Sequence, residues 1–200
     1  MGNTQGGSKK DSEKNIPVIY YFLHKWLRYP KYNQFIDGVN IIPFKAPLRS
    51  KFNAYLTNEQ MFNFKEVYEF TVSINKPITD IIDLTTRAKY YDVDALGLAS
   101  CNVEYHKFEI RGKSMPSDKM IEQIIGKIDE LLKNNRVVGI HCAHGVNRTG
   151  FIVCSYLVKK LGWEPKDALD EFQKARGQGI IHAVYTNGVL KLNSKKAIST

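Results

Sequence analysis

One stretch of this chain leaves it few ways to fold. Val137–His141 (VVGIH) is an apolar run ending in a histidine, the pattern of a short strand buried on both faces. A seven-residue loop, Cys142–Arg148 (CAHGVNR), follows it. Thr149–Leu161 then reads as an apolar helix, with Gly162 suited to close it. A buried strand feeding a helix through a short loop is a parallel-sheet device, because parallel neighbours need a crossover connection. Val39–Phe44, Ile78–Leu84 and Val103–Ile110 also have strand character, and Pro43 makes the first of them short or an edge. Met120, Ile121, Ile124, Ile125, Ile128, Leu131 and Leu132 recur at helical spacing between Ser117 and Asn134. Phe62–Val72 reads as another helix, and Pro165 suits the first turn of one ending near Arg176. Strands alternating with helices predict an α/β fold: a central twisted, mostly parallel sheet flanked by helices.

At 200 residues the chain is long enough for one domain with its own core. Residues 1–14 (MGNTQGGSKKDSEK) and 193–200 are polar and are expected to be flexible tails around a single domain at 15–192. No apolar run reaches the roughly 18 residues of a membrane span, and residues 1–14 lack the apolar core of a secretory signal. Gly2 is a poor acylation site, since Gly6 stands where Ser or Thr is preferred. Cys101, Cys142 and Cys154 cannot all pair and have no CxxC spacing, which argues against a disulfide framework and a cysteine zinc site. A reducing intracellular compartment, nuclear or cytoplasmic, is the expectation. Neither metal nor other cofactor is expected, and the chain is expected to be a monomer.

The loop carries the chemistry. Between a strand end and a helix start, the backbone N–H groups of Ala143, His144, Gly145, Val146 and Asn147 can face one concavity, to which the helix dipole adds positive potential. Gly145 permits the backbone angles such a loop needs. Arg148 can fork two donors onto phosphate oxygens. Cys142, six positions earlier, would lie under this cradle, its thiol acidified by the same dipole and cation. A thiolate facing a bound phosphorus is set for nucleophilic attack. The alternative is a buried structural cysteine, the reading given to Cys101 and Cys154. It does not account for His-Cys-x5-Arg-Thr-Gly at a strand–helix junction.

The run HCAHGVNRTG, His141–Gly150, resembles the signature of the cysteine-dependent phosphatases, the protein-tyrosine and dual-specificity superfamily. With His144 and Asn147 it is similar to one branch in particular, the RNA 5′-triphosphatases. That branch comprises the triphosphatase domain of mRNA-capping enzymes, stand-alone RNA phosphatases and baculovirus phosphatase-like proteins. Gly38–Leu48, Ile82–Thr85 with Lys89–Asp92, and Ala175–Gly177 with Tyr185 resemble other stretches of the branch. The resemblance runs from about Trp26 to Leu190. It departs at Ala143, where the branch carries Thr, at Arg87, in a stretch usually neutral, and at Lys113, where relatives often have His.

What the resemblance implies is a single-domain, dual-specificity-like cysteine-phosphatase fold with the P-loop between a central strand and a helix. Cys142 would attack the terminal phosphorus, and Arg148 and the amides of residues 143–148 would hold its oxygens. Thr149 would hydrogen-bond the sulfur, and His141 and Asn147 would brace the loop. Asp83 would steer Arg148 or a water, or cap a turn. Asp118, 24 positions before Cys142, is either a general acid or an ordinary first-turn acid of a helix. Arg87, Lys89, Tyr90, Lys113, Arg176 and Tyr185 would form the RNA-facing rim. The implied reaction is metal-independent removal of the γ-phosphate of 5′-triphosphorylated RNA through a phosphocysteine, with continuation to the β-phosphate left open. A dual-specificity protein phosphatase is the alternative, and a non-catalytic phosphate-binding module the third reading. The Lys-x-Asp-Gly motif of a guanylyltransferase is absent, so capping would need that enzyme in trans.

The net charge is +9. Residues 1–14 carry +1, and Lys191, Lys195 and Lys196 a further +3. His24–Lys51 holds six basic residues against Asp37, interleaved with Trp26, Tyr29, Tyr32 and Phe35. This window is either a phosphate-backbone groove lined with aromatics or a solvated basic face whose aromatics are core.

Overall fold

The computed structural model describes residues 18–86, 90–91, 93 and 97–193. Residues 1–14, Arg87, Lys89 and 194–200 lie outside the described residues. The order of elements is α1 (Val18–Leu27), β1 (Ile41–Lys45), α2 (Phe64–Ser73), β2 (Asp80–Asp83), β3 (Glu104–Lys107), α3 (Asp118–Lys133), β4 (Val138–Cys142), α4 (Asn147–Leu161), α5 (Pro165–Arg176) and α6 (Ala183–Leu190). The strands form one sheet in the order β1-β4-β2-β3, and every pair is parallel.

Side chains alternate across the sheet with the period of two that a strand imposes. Ile41, Ile82, Val138 and Ile140 face a core built with α3, α4, α5 and α6. Ile42, Phe44, Ile78 and Ile81 face a second core, closed by Leu23 and Trp26 of α1 and Phe64 and Val67 of α2. Pro43 sits on an edge strand, where its missing N–H costs no ladder bond. β2 and β3 are shorter than the stretches that signalled them, because only their middles pair, whereas β1 and β4 each run one residue further, to Lys45 and Cys142.

Helix ends follow local chemistry. Asn63 caps α2 by accepting from the Glu66 N–H at 3.0 Å, and Ser117 caps α3 by accepting from the Met120 N–H at 3.3 Å. α5 runs from Pro165 to Arg176, as its proline predicts. α4 starts two residues earlier than its apolar run, taking Asn147 and Arg148 into its first turn. Its N-cap, Val146, makes no side-chain capping bond, and no acid stands in its first turn. The positive end of this dipole is therefore left for a ligand. α1 is held by Leu23 and Trp26 in the second core.

Parallel strands all end at one edge of the sheet, and here each ends on a chemically active residue: Lys45 in β1, Asp83 in β2, Lys107 in β3 and Cys142 in β4. Register pairs Lys45 with Cys142, and Asp83 with both His141 and Lys107.

Candidate active site

The loop after β4 is shaped from behind. The Ala46 N–H donates to the carbonyls of Cys142 (3.1 Å) and Ala143 (3.3 Å). Arg176 donates from Nη2 to the His144 carbonyl (3.0 Å) and from Nε to the Gly145 carbonyl (3.0 Å). In a trans peptide each carbonyl points away from the next residue's N–H. Four carbonyls drawn to one side therefore turn the N–H groups of Ala143, His144, Gly145 and Val146 to the other, toward a cavity of about 240 Å³. Gly145 has φ +64°, and a Cβ there would lie 2.1 Å from the Phe44 carbonyl oxygen, so no other residue fits.

Cys142 and Arg148 line this cavity. The guanidinium is fixed by two bonds from Nη1, to the carbonyls of Leu84 (3.0 Å) and Ile110 (2.8 Å). Burial alone would push the Cys142 thiol up. The charge of Arg148, the Thr149 hydroxyl and the N–H groups of Thr149 and His144 more than offset it, and the thiol is acidified. The Thr149 hydroxyl is buried and has no partner of regular hydrogen-bond geometry. The sulfur it faces is the group that would satisfy it, and does so best as a thiolate. A nucleophilic thiolate, an anion-binding loop and a forked cation thus converge on one cavity, an arrangement able to receive a phosphoryl group and attack it.

Behind the loop lies a buried polar network. The Asp83 carboxylate accepts from the Thr85 N–H (2.7 Å), the Tyr91 hydroxyl (3.0 Å), the Tyr105 hydroxyl (2.7 Å) and the Lys107 ammonium (2.8 Å). Burial raises the Asp83 pKa, but His141, Lys107, the Thr85 N–H and Tyr105 hold it well below the ordinary carboxylate range. His141 Nε2 lies 2.6 Å from the Tyr91 hydroxyl and Nδ1 3.2 Å from the Cys142 carbonyl. Burial pushes the pKa of this imidazole down, against the pull of Asp83. Asp83 and His141 therefore brace the strand end that carries Cys142, and neither lines the cavity.

Three expectations change. Arg176 is not a rim residue: it is fully buried, because its guanidinium is used on the carbonyls of Pro30, His144 and Gly145. Asp83 neither contacts Arg148 nor faces the cavity, and its turn-cap reading is the one that holds, its carboxylate accepting from the Thr85 N–H; Arg148 instead binds the carbonyl of the next residue, Leu84. Asp118 is the exposed first residue of α3, behind the Ser117 cap, and does not line the cavity. Its helix-start reading is the one realised.

Tyr90, Lys113 and Tyr185 do line the cavity, and Tyr185 donates to the Ser114 carbonyl (3.1 Å). Asn147 Oδ1 accepts from the N–H groups of Ile181 (3.0 Å) and His182 (2.8 Å), tying the loop to the segment before α6. Sequence reasoning did not place Lys25 and Tyr29 at the cavity, although both fell in its basic, aromatic window. The rest of that window is mostly structural. Trp26 is core, Lys31 pairs with Glu66 (3.0 Å), and Tyr32 packs on Phe62 and Phe70. Lys45 lies over the Trp26 ring, and its Nζ donates to the Tyr29 carbonyl (2.9 Å).

A larger hollow of about 620 Å³, lined by Arg49, Lys51, Phe62 and Tyr91 among others, holds no cysteine among its described residues. Among the described residues, one group has metal-ligand spacing: Asp80, Glu104 and His106, within 4.8 Å of one another. Arg136 already binds both carboxylates (2.7 and 2.9 Å), which leaves that group an ion network.

Comparisons with known proteins agree with the site. Residues 63–193 match the family model of the dual specificity phosphatase catalytic domain. A tyrosine-protein phosphatase of Autographa californica nuclear polyhedrosis virus is 36% identical over 173 residues, covering 84% of this chain and 99% of the viral protein. An RNA/RNP complex-1-interacting phosphatase of Rattus norvegicus is 32% identical over 192 residues, 94% of this chain. The chain spans only 56% of that relative's length. The crystal structure of Tk-PTP in the active form matches with a TM-score of 0.60 over 81% of this chain and 95% of that chain, at 22% identity, a likeness of fold. No helix among the described residues is long and apolar enough to cross a membrane. The chain belongs to the dual specificity phosphatase family and is a cysteine phosphatase related to the baculovirus and RNA/RNP complex-1-interacting enzymes.

Proposed function

We propose that this phosphatase acts on the 5′-triphosphate end of RNA. The observation that carries the reading is the lining of the cavity: Lys25, Lys113 and Arg148 supply charge, and no carboxylate among the described residues faces the thiol. Hydrolysis of a phosphotyrosine must protonate a phenolate with a pKa of about 10, and so needs an acid. The leaving group of a triphosphate is a diphosphate, whose terminal phosphate has a second pKa of about 6 and departs ionised. A cavity rich in cations, with no acid among its described lining residues, suits the second reaction.

In this mechanism the Cys142 sulfur attacks the γ-phosphorus while the bond to the β-bridging oxygen breaks, and the electron pair leaves with the diphosphate. Arg148 and the amides of residues 143–148 hold the three equatorial oxygens throughout. Thr149 stabilises the sulfur when water attacks the phosphocysteine and the thiolate departs. Asp83 and His141 hold the strand end in place. The diphosphate RNA so formed is the kind of end a guanylyltransferase takes, so such an enzyme acting in trans is the proposed partner, in the nucleus if capping is the setting.

The name of the RNA/RNP complex-1-interacting relative supports an RNA substrate, and that of the viral tyrosine-protein phosphatase supports a second reading, a protein phosphatase. Phosphate release from γ-labelled triphosphate RNA, a phosphotyrosine peptide and a phosphoinositide, with Cys142→Ser as blank, separates them. The RNA reading expects RNA turnover to dominate; dominant peptide turnover overturns it.

A further inference from the structure

The site has a wall that the shared phosphatase machinery does not need. It comes from Lys25 and Tyr29, outside the segment 63–193 that matches the family. Its centre is the ring of Tyr29, stacked on the ring of the loop's His144 with centroids 4.6 Å apart and planes inclined by 21°. Tyr29 and His144 are only partly buried, whereas Tyr90 and Tyr185, the other tyrosines of the cavity, are buried.

The pair is held from behind at some cost. Arg176 Nη2 donates to the carbonyl of Pro30 (2.6 Å) and to that of His144 (3.0 Å), so one guanidinium fixes the backbone of both rings. Lys45 Nζ donates to the Tyr29 carbonyl (2.9 Å). Both basic groups are buried, Lys45 at 3% exposure and Arg176 at 0%; no acid among the described residues bonds either of them, and burial lowers the Lys45 pKa to about 7. Burying two basic groups is expensive. What it secures is a stack that cannot shift when a ligand arrives, which is how preorganisation raises affinity. His144 is itself a poor phosphate counterion, since burial and then Lys25, Arg148, Lys45 and Arg176 push its pKa down to about 4. A neutral imidazole on a phenol ring instead offers a flat, polarisable surface, the kind on which nucleobases stack without regard to sequence.

We propose that the Tyr29–His144 stack, with Lys25 beside it, is the shelf that receives the first nucleoside of the substrate's 5′ end. The inference rests on the RNA reading above. Phosphates bound at the loop put the attached nucleoside toward the cavity mouth, and Lys25 supplies charge for the phosphate that links the two. The shelf would favour RNA ends over triphosphate that carries no nucleoside.

The test compares triphosphate RNA with inorganic tripolyphosphate in wild type, Tyr29→Leu and Tyr29→Trp. The expected result is that Tyr29→Leu lowers the ratio of kcat/KM for RNA to that for tripolyphosphate about tenfold, mostly through KM, and that Tyr29→Trp restores it. In parallel, 2-aminopurine as the first nucleotide should be quenched on binding to Cys142→Ser, and much less so on binding to Cys142→Ser/Tyr29→Leu. Equal losses on both substrates would make Tyr29 a structural prop and overturn the shelf, as would an unchanged ratio. Absence of RNA turnover in the wild-type enzyme would remove the RNA reading itself, an outcome distinct from RNA turnover with an unchanged ratio.

Discussion

The two ends of β2 carry the same residue, and the structure puts them to different uses. At the N-terminal edge of the sheet, Asp80 binds Arg136 (2.7 Å) and His106 (2.8 Å), and Arg136 also takes Glu104 (2.9 Å). Charge there is paired off. At the C-terminal edge Asp83 is spent on Lys107, two tyrosines and a backbone N–H. Arg148, Lys25 and Lys113 then line the thiol's cavity without carboxylate partners among the described residues, and Arg176 lies buried behind the loop. The comparison teaches that net charge by itself says little about a ligand. Charge left unpaired in a concave, partly dehydrated site is what attracts one. It also agrees with the rule that parallel sheets bind at the carboxyl ends of their strands.

Substitutions can break this comparison, and their expected effects fall in a clear order. Arg148→Met should lower kcat/KM on any phosphorylated substrate on the order of 10³-fold, since it removes a cation that meets charge in the transition state. A loss under tenfold would mean the loop amides suffice. Gly145→Ala should cost on the order of 10²-fold in kcat and lower the melting temperature by several degrees, because its Cβ collides with the Phe44 carbonyl and the loop must move. Unchanged kinetics there would show that the loop tolerates displacement.

At the opposite edge Asp80→Asn should cost about 2 kcal/mol of stability in urea melts yet leave kcat/KM within twofold; the partner arginine is 29% exposed, which limits the loss by solvent screening. The pH dependence follows from the sign of the shift. Burial raises the Asp80 pKa, but its bonds to Arg136, His106 and Thr79 bring it below the ordinary value. Its stabilisation is therefore full above the unfolded pKa of about 4 and lost as pH falls through the lower folded value. Wild type should lose stability more steeply than Asp80→Asn below about pH 4. The smallest effect is expected at Asp118: Asp118→Asn should change RNA turnover less than twofold, and a collapse of that turnover would contradict a leaving group that needs no proton.

The catalytic loop was legible because its requirements are local. A buried strand, a glycine, a cysteine and an arginine at fixed spacing, and a helix mark the cradle in the sequence, although Ala46 and Arg176 complete it from outside the loop. Cys142, Arg148 and Thr149 could be placed for that reason. Arg176 could not, since a helix residue at the motif's far end can as easily face water as reach back to carbonyls 31 and 32 positions away. Tyr29 was visible only as part of a basic, aromatic window, and Lys45 there and in the stretch Gly38–Leu48 that resembles the branch. Whether such a window is groove or core depends on which side chains the other elements cover, and here both answers hold within a few residues of each other. Asp118 had two local explanations of equal merit until the placement of α3 took it away from the thiol.

The claim at the centre of this account is that unpaired charge at the C-terminal edge selects a polyanion. It is tested most directly by salt. The slope of log kcat/KM against log salt concentration should be steeper for long triphosphate RNA than for a small phosphate ester, because the longer anion releases more counterions on binding. Parallel slopes, with no extra salt cost for the longer substrate, would contradict it.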